Sequence, residues 1–184
     1  MQIRKFEIEG LLLIEPRLFQ DDRGFFFESY NAIKYAEILG EGANFVQDNI
    51  SVSNKHVLRG LHFQESPFAQ GKLVTVLQGK VLDIAVDIRK NSKTYGQYQS
   101  IELSSENNYQ FWIPPGFAHG FLSLEENTLF SYKCTNFYSP EHEKTLNWND
   151  PLLAINWGDI SNPIVSQKDM FGQSFQDFMK ENKY

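Results

Sequence analysis

The sequence predicts an all-β fold, either a sandwich or a barrel built from many short strands. Apolar and polar residues alternate in short runs, and Gly, Pro and Asn separate these runs at close spacing. Aromatic residues, which favour strands, make up 15% of the 184 residues. Because no repeat or linker interrupts the pattern, we expect a single domain over residues 1–184.

The strand pattern runs through the middle of the chain. Segments 73–77 and 81–88 are separated by Gly79, which predicts a hairpin. The other predicted strands, in chain order, are 45–53, 99–103, 109–113, 120–124 and 129–137. Two short helices are expected beside them. One covers residues 32–39, with Asn31 as its N-cap and Gly40 as its stop, and the other lies near 173–180.

Charge and cysteine content limit the possible partners. The chain has 17 Lys and Arg against 23 Asp and Glu, a net charge of −6, which disfavours unspecific binding to nucleic acid. Cys134 is the only cysteine, so no internal disulfide can form. The early apolar run at 11–14 is too short for a signal core or a membrane span, so we expect a cytoplasmic protein without a membrane partner.

One face of the predicted strands is polar where a solid core would be apolar. Gln47 and Asn49 alternate onto one face of their strand. His62 and Gln64 share a face in the following strand, and Tyr132 shares its parity with residues 134, 136 and 138. A barrel wall of this kind favours a lined pocket over a packed core.

Three cationic or proton-accepting side chains lie within fourteen positions of one another, in segments that otherwise resemble buried strands. They are Arg59, His62 and Lys72. The guanidinium group pairs with phosphate, and histidine exchanges protons near neutral pH. Such groups among apolar neighbours need partners or a ligand. The segment therefore predicts a site that binds an anion and moves a proton, although the pattern alone places Lys72 equally well in a pocket or on the surface.

Two further segments allow more than one interpretation. Residues 21–28 place Arg23 and Glu28 around three phenylalanines, which favours a turn and an edge strand with solvated ends over a loop that offers Arg23 to a phosphate. Asp169, near the C-terminus, could orient an imidazole, but an aspartate in a terminal loop is usually exposed.

A turn-forming segment points to a more particular fold. Pro114, Gly116 and His119 have the Pro-x-Gly-x-x-His spacing that resembles the second motif of the cupin superfamily. The resemblance implies a cupin-type jelly-roll β-barrel with a few short flanking helices. Metal-binding cupins carry a His-x-His pair, whereas this chain has His62 and Gln64, so we predict no metal.

Considered together, the motifs over residues 19–169 resemble the dTDP-4-dehydrorhamnose 3,5-epimerase family of cupin-fold sugar-nucleotide epimerases. Each motif is weakly specific, but their order and spacing are jointly specific. The matching segments are 22–28, 47–51, 57–64, 72–74, 115–121, 132–133, 148–151 and 168–169. One departure is His56, at a position where the family commonly has glycine.

The resemblance implies a role for each matching residue. His62 would be the base, Asp169 its orienting partner, Tyr132 the acid on the opposite face, and Lys72 the support of the keto oxygen. Tyr138 would stack near the thymine. The residues implied in binding the nucleotide sugar are Arg23, Glu28, Gln47, Asn49, Arg59, His119, Glu143 and Lys168.

The resemblance also implies a reaction and an assembly. We expect a cofactor-free inversion of carbons 3 and 5 of dTDP-4-dehydro-6-deoxy-D-glucose, in a homodimer that exchanges N-terminal strands and places Arg23 and Glu28 in the neighbouring site. The alternatives are a single-centre epimerase of a related 4-keto sugar nucleotide and a non-catalytic sugar-binding jelly roll. A metal-dependent cupin oxygenase is disfavoured by Gln64.

Overall fold

A computed structural model describes residues 1–40, 43–160 and 162–181. Short strands dominate this part of the chain. In chain order they are β1 (Gln2–Lys5), β2 (Leu12–Glu15), β3 (Phe19–Asp21), β4 (Gly24–Phe26), β5 (Gln47–Ser53), β6 (Val57–Gln64), β7 (Lys72–Gln78), β8 (Lys80–Asp87), β9 (Tyr98–Ser104), β10 (Gln110–Ile113), β11 (Phe117–Ser123), β12 (Thr128–Cys134), β13 (Glu143–Thr145) and β14 (Ile164–Val165). The helices are α1 (Ala32–Leu39), α2 (Gln167–Met170) and α3 (Phe175–Glu181).

The described strands form two large sheets and one small hairpin. The first sheet has the order β1-β2-β10-β7-β12-β5, and the second has the order β13-β6-β11-β8-β9 with β14 beside β6. The pairings are antiparallel except for that of β14. The predicted all-β jelly roll with a few short helices is confirmed, as two separate sheets within the described residues and not as one closed ring of strands.

The space between the two sheets is largely filled by apolar side chains from both. Phe111 and Phe130 of the first sheet and Phe121 of the second belong to one buried cluster. Phe121 and Phe130 stack across the sheets with ring centroids 4.2 Å apart. A second cluster, which includes Trp157 and Phe175, lies where the C-terminal segment packs on the second sheet. These clusters fix the two sheets relative to each other. Polar side chains border the part of the space between the sheets that the clusters do not fill.

Helix α1 has the bounds that the sequence predicts. The Asn31 side chain accepts hydrogen bonds from the backbone N–H groups of Ile33 and Lys34, at 3.2 Å each. Gly40 ends the helix with a positive φ of 86°. Helix α3 overlaps the second predicted helix. None of the described helices is long and apolar enough to cross a membrane.

The predicted hairpin around Gly79 is wrong. β7 belongs to the first sheet and β8 to the second, so the chain passes from one sheet to the other at this glycine. Gly79 has a φ of +81°, and a Cβ atom there would lie 2.6 Å from the Thr128 hydroxyl. The sharp turn needs glycine in either arrangement, which is why the turn signal alone does not reveal the sheet change.

His56 occupies a backbone conformation that usually requires glycine. Its φ is +69°, and its peptide groups are tied to Ser123 and Ile164 by hydrogen bonds of 2.8 Å. A non-glycine residue in this left-handed region costs about 1–2 kcal/mol. His56 therefore holds the start of β6 at some cost in stability.

We expect His56→Gly to stabilise the protein. Relief of the backbone strain is partly offset by the greater freedom of glycine in the unfolded chain, which leaves a net gain of about 0.5 kcal/mol in the free energy of unfolding. Urea unfolding of the wild type, His56→Gly and His56→Ala measures it. Because alanine keeps the strain, equal stability of the glycine and alanine variants would contradict this explanation.

Candidate active site

A cavity of about 720 Å³ opens between the two sheets. Its wall contains eleven of the thirteen residues that the sequence assigns to the site. Those eleven are Gln47, Asn49, Arg59, His62, Lys72, His119, Tyr132, Tyr138, Glu143, Lys168 and Asp169.

Strand alternation explains how the polar groups reach the cavity. Along β5, Gln47, Asn49 and Ser51 are half-buried, while Ile50 and Val52 are exposed. Tyr132 pairs with Asn49 on one side and with Val74 on the other, so β5, β12 and β7 contribute adjacent side chains. The polar face predicted from the sequence is therefore the cavity wall of the first sheet.

His62 and Asp169 form a close pair at the second sheet. Nε2 of His62 lies 2.6 Å from Oδ1 of Asp169, and the other oxygen of Asp169 accepts the Gly60 N–H at 3.3 Å. Burial raises the pKa of Asp169, but the hydrogen bonds from His62 and Gly60 outweigh it and lower the pKa overall. Asp169 is 3% exposed, so the usual outcome for a terminal-loop aspartate does not apply. The pair is therefore an imidazole held in place by an ionised carboxylate.

A close approach of two strands shapes the backbone next to this pair. A Cβ atom on Gly60, whose φ is +129°, would lie 2.5 Å from the Cα atom of Gly120. The approach brings β6 and β11 together beside His62 and His119, which are opposite each other in register. Glycine is required because no side chain fits between the strands.

Lys72 and Tyr132 approach the cavity from the first sheet. Nζ of Lys72 is 6.0 Å from the Tyr132 ring centroid, and neither its ammonium nor the tyrosine hydroxyl has a hydrogen-bond partner among the described residues. Burial lowers the pKa of Lys72, against the opposing charges of groups that include Asp83 and Glu143. Burial also raises the pKa of Tyr132, which keeps its hydroxyl protonated. Both donors are available to a ligand oxygen or carbon in the cavity.

His119 is held by a carboxylate that sequence reasoning missed. Nε2 of His119 lies 2.9 and 3.0 Å from the two oxygens of Asp83, and both side chains are buried. Burial lowers the pKa of His119, against the attraction of Asp83. A sequence signal for Asp83 existed: it is the one charged residue in the apolar run 81–86, and a buried charge needs a partner.

Arg59 is fixed at the edge of the cavity with part of its guanidinium unused. Its Nε donates to the Ser53 hydroxyl at 3.1 Å, and one terminal nitrogen donates to the Val52 carbonyl at 3.2 Å. The other terminal nitrogen makes no hydrogen bond to the described residues. A planar guanidinium held in this way can donate to an oxyanion without first giving up a protein partner.

A chain of polar contacts lines the opposite end of the cavity. The Tyr138 hydroxyl donates to Glu143 at 2.7 Å, and Lys168 pairs with the same carboxylate. Burial raises the pKa of Glu143, but the hydrogen bonds from Lys168 and Tyr138 lower it overall. Gln47 accepts the backbone N–H of Tyr138 at 2.9 Å, which ties this loop to β5. The Tyr138 side chain remains half-exposed over the cavity and can cover a flat group there.

Arg23 and Glu28 do not line the cavity of their own chain. Arg23, at the tip of the β3–β4 hairpin, has a side chain 90% exposed and an ion pair with Asp21 at 2.6 Å. Glu28 pairs with Lys34 at 2.7 Å. The hairpin with solvated ends, favoured from the residues alone, is the conformation that these segments adopt.

The described residues contain no cluster of three or more histidine, cysteine, aspartate or glutamate side chains arranged to hold a metal ion. The cavity is instead lined by the His62–Asp169 pair, by His119 with the buried Asp83 behind it, and by a tyrosine, a lysine and an arginine. A jelly roll with such a pocket between its sheets is typical of a cupin-like isomerase. A family model described as dTDP-4-dehydrorhamnose 3,5-epimerase matches residues 5–177. The chain belongs to this family, and it is an isomerase.

Relatives described as 3,5-epimerases of dTDP-sugars span nearly the whole chain. A dTDP-4-dehydrorhamnose 3,5-epimerase of Shigella flexneri is 50% identical over 177 residues, which cover 96% of this chain and 97% of the relative. A crystal structure of the Elizabethkingia anophelis NUHP1 enzyme has a TM-score of 0.91 and 48% identity, and covers 96% of this chain and 97% of that one. The Legionella pneumophila Philadelphia 1 enzyme, solved in complex with dTDP-4-keto-L-rhamnose, has a TM-score of 0.90 and 50% identity, and covers 94% and 92%.

Proposed function

We propose that this protein converts dTDP-4-dehydro-6-deoxy-D-glucose to dTDP-4-dehydro-L-rhamnose by inverting carbons 3 and 5 without a cofactor. The observation that carries the proposal is one cavity with a His–Asp pair beside one sheet and, on the other sheet, a lysine and a tyrosine without hydrogen-bond partners among the described residues. Relatives named for this reaction, and a relative solved with dTDP-4-keto-L-rhamnose, support the substrate.

His62 acts as the base. Carbons 3 and 5 both adjoin the carbonyl at carbon 4, so each carries a proton that can leave to form an enolate. His62 takes this proton and becomes an imidazolium, which the adjacent Asp169 carboxylate stabilises at 2.6 Å. The carboxylate also fixes the ring orientation, so the free nitrogen can face the substrate.

Lys72 stabilises the enolate. Its ammonium lines the cavity without a hydrogen-bond partner among the described residues, and a developing oxyanion at carbon 4 supplies one. Donors aimed at developing charge in a partly dry site contribute strongly because they need no reorganisation. With the keto oxygen at Lys72, carbons 3 and 5 of the sugar would lie between the two sheets, where His62 and Tyr132 can reach them.

Tyr132 returns a proton from the opposite face. It stands on the first sheet, whereas His62 stands on the second, so acid and base approach the sugar ring from different walls. Protonation on the face opposite to removal inverts the carbon. His62 then gives its proton to solvent and Tyr132 regains one, and the enzyme is restored with no net change in protons.

The remaining cavity residues bind the nucleotide. Arg59 suits a phosphate, because it has unused donors at the cavity edge. Tyr138 suits the flat thymine base, with Glu143 and Lys168 beside it. Gln47, Asn49 and His119 contribute hydrogen-bonding groups between these ends. Binding energy from the nucleotide thereby positions the distant sugar.

The active form is a homodimer in which the N-terminal arm of each chain completes the site of the other. Exposed aromatic rings support this: Phe19, Phe25 and Phe26 of the β3–β4 hairpin are 52%, 53% and 69% exposed. β5 is the edge of its sheet, and Ile50 and Val52 on its outer face are also exposed. Apolar surfaces and open strand edges of this kind mark interfaces. Arg23 at the hairpin tip and Glu28 then serve the partner's cavity.

Mixed dimers test this assignment. Each of Arg23→Ala and His62→Ala should be nearly inactive alone. A heterodimer purified through two different tags should recover about half of the wild-type activity, because one of its two sites has both His62 and the arginine from the other chain. An inactive heterodimer would place Arg23 in the site of its own chain.

Proton NMR of the 4-keto sugar nucleotide in heavy water tests the reaction itself. Double epimerisation incorporates deuterium at carbons 3 and 5 and yields the L-configured product. Deuterium at a single carbon would favour the single-centre alternative, and binding without any exchange would favour the sugar-binding jelly roll. The same experiment with chelator-treated protein tests whether the reaction needs a metal ion. The single domain over 1–184 and the cytoplasmic location remain predictions from the sequence.

A further inference from the structure

Gln64 joins the catalytic strand to the loops around the nucleotide end of the cavity. It is the last residue of β6, two positions after His62, and is 4% exposed. Its side-chain nitrogen donates to the carbonyls of Phe68 and Phe137 at 2.6 and 3.1 Å. Its side-chain oxygen accepts the N–H of Ser139 at 2.8 Å.

Two of these three contacts flank Tyr138. The Phe137 carbonyl precedes that residue and the Ser139 N–H follows it. Gln64 therefore forms hydrogen bonds to the backbone on both sides of Tyr138, whose ring is proposed to cover the base. The hydrogen bond to Phe68 also connects Gln64 to the loop at 65–70. These contacts fix the position of a loop that has no regular secondary structure of its own.

We propose that Gln64 is a positioning residue for nucleobase recognition, acting through Tyr138. The inference rests on the proposed function, since it assigns Gln64 to the thymine end of the same site. It also gives the residue a role where metal-binding cupins carry their second histidine.

The chemistry of the side chain fits this role. A primary amide offers two donors and an acceptor on adjacent atoms, and the three backbone groups here require two donors and one acceptor. A neutral imidazole has one donor and one acceptor, so it could not satisfy all three. A carboxylate would place an oxygen against two carbonyls in a buried setting, which is unfavourable.

The test compares Gln64→Leu, Tyr138→Ala and the double variant, with Gln99→Leu as the control. Gln99 bonds the Ser100 carbonyl on β9, outside the cavity. Calorimetry with dTDP and steady-state kinetics with the dTDP-sugar are the measurements. We expect Gln64→Leu to weaken dTDP binding about tenfold, the scale of one lost stacking contact, and to raise KM while kcat changes little. Gln99→Leu should bind dTDP like the wild type.

Non-additivity is the decisive result. If Gln64 acts through Tyr138, the double variant binds dTDP about as weakly as Gln64→Leu alone, whereas independent effects would multiply to about a hundredfold. Multiplying effects, an unchanged dTDP affinity or a loss confined to kcat would each overturn the inference. If Gln64→Leu does not fold, Gln64→Glu tests the same point, since its binding should improve at acidic pH, where the protonated carboxyl can donate. Failure of the wild type to bind dTDP would instead reject the proposed function.

Discussion

We expect His62→Ala to abolish deuterium exchange into the 4-keto sugar while leaving dTDP affinity nearly unchanged. A general base typically contributes about 10²–10⁴ in rate, and no exchange route at either carbon avoids proton removal. The nucleotide contacts proposed for Arg59 and Tyr138 do not depend on the imidazole. Exchange measured by NMR and affinity measured by calorimetry therefore separate catalysis from binding.

The control for this experiment is another histidine of the same chain. His56 lies outside the cavity, at the start of β6, so His56→Ala should exchange deuterium at the wild-type rate. Asp169→Asn should fall between the two variants, because it keeps a hydrogen-bonding group beside the imidazole but removes the charge that stabilises the imidazolium. Persistent exchange in His62→Ala would assign the base to another residue.

Local sequence patterns identify most elements but not their partners in space. Alternation in β5 predicts both the strand and its polar face, since alternate side chains of a strand lie on opposite faces. The same reasoning is wrong for β7 and β8, which it joins in a hairpin. Gly79 marks a tight turn in either case, and the choice of sheet depends on β12 and β10, far away in the sequence.

The same limit applies to the candidate site. Lys72 and Asp169 have two interpretations in the sequence, because burial depends on contacts that the local pattern does not contain. Asp169 is buried and bonded to His62, 107 positions away. Family resemblance supplies these two residues where the local pattern leaves both undecided. For Asp83 the local sequence does contain a signal, because a lone charge in an apolar strand predicts a buried partner.

We expect Tyr132→Phe to separate proton exchange from inversion. In this variant His62 can still remove a proton and return a deuteron to the same face, so label enters the sugar without a change of configuration. Formation of the L-configured product should fall by about 10²–10⁴, the usual contribution of a general acid. The ratio of exchanged substrate to inverted product, followed by NMR in heavy water, reports this separation directly.

This variant tests whether the base His62 and the acid Tyr132 act from opposite sheets, because it changes a single group. The ring of Tyr132 remains in the variant, so its packing against Phe130 is retained and only the hydroxyl is lost. Tyr109→Phe is the matched control, because Tyr109 packs at the edge of the core away from the cavity and should invert the substrate normally. If Tyr132→Phe kept the wild-type product ratio, the second proton would come from solvent or another group. If it lost exchange together with inversion, Tyr132 would be needed for enolate formation. That result would contradict the proposal that His62 alone removes the proton and Tyr132 only returns one.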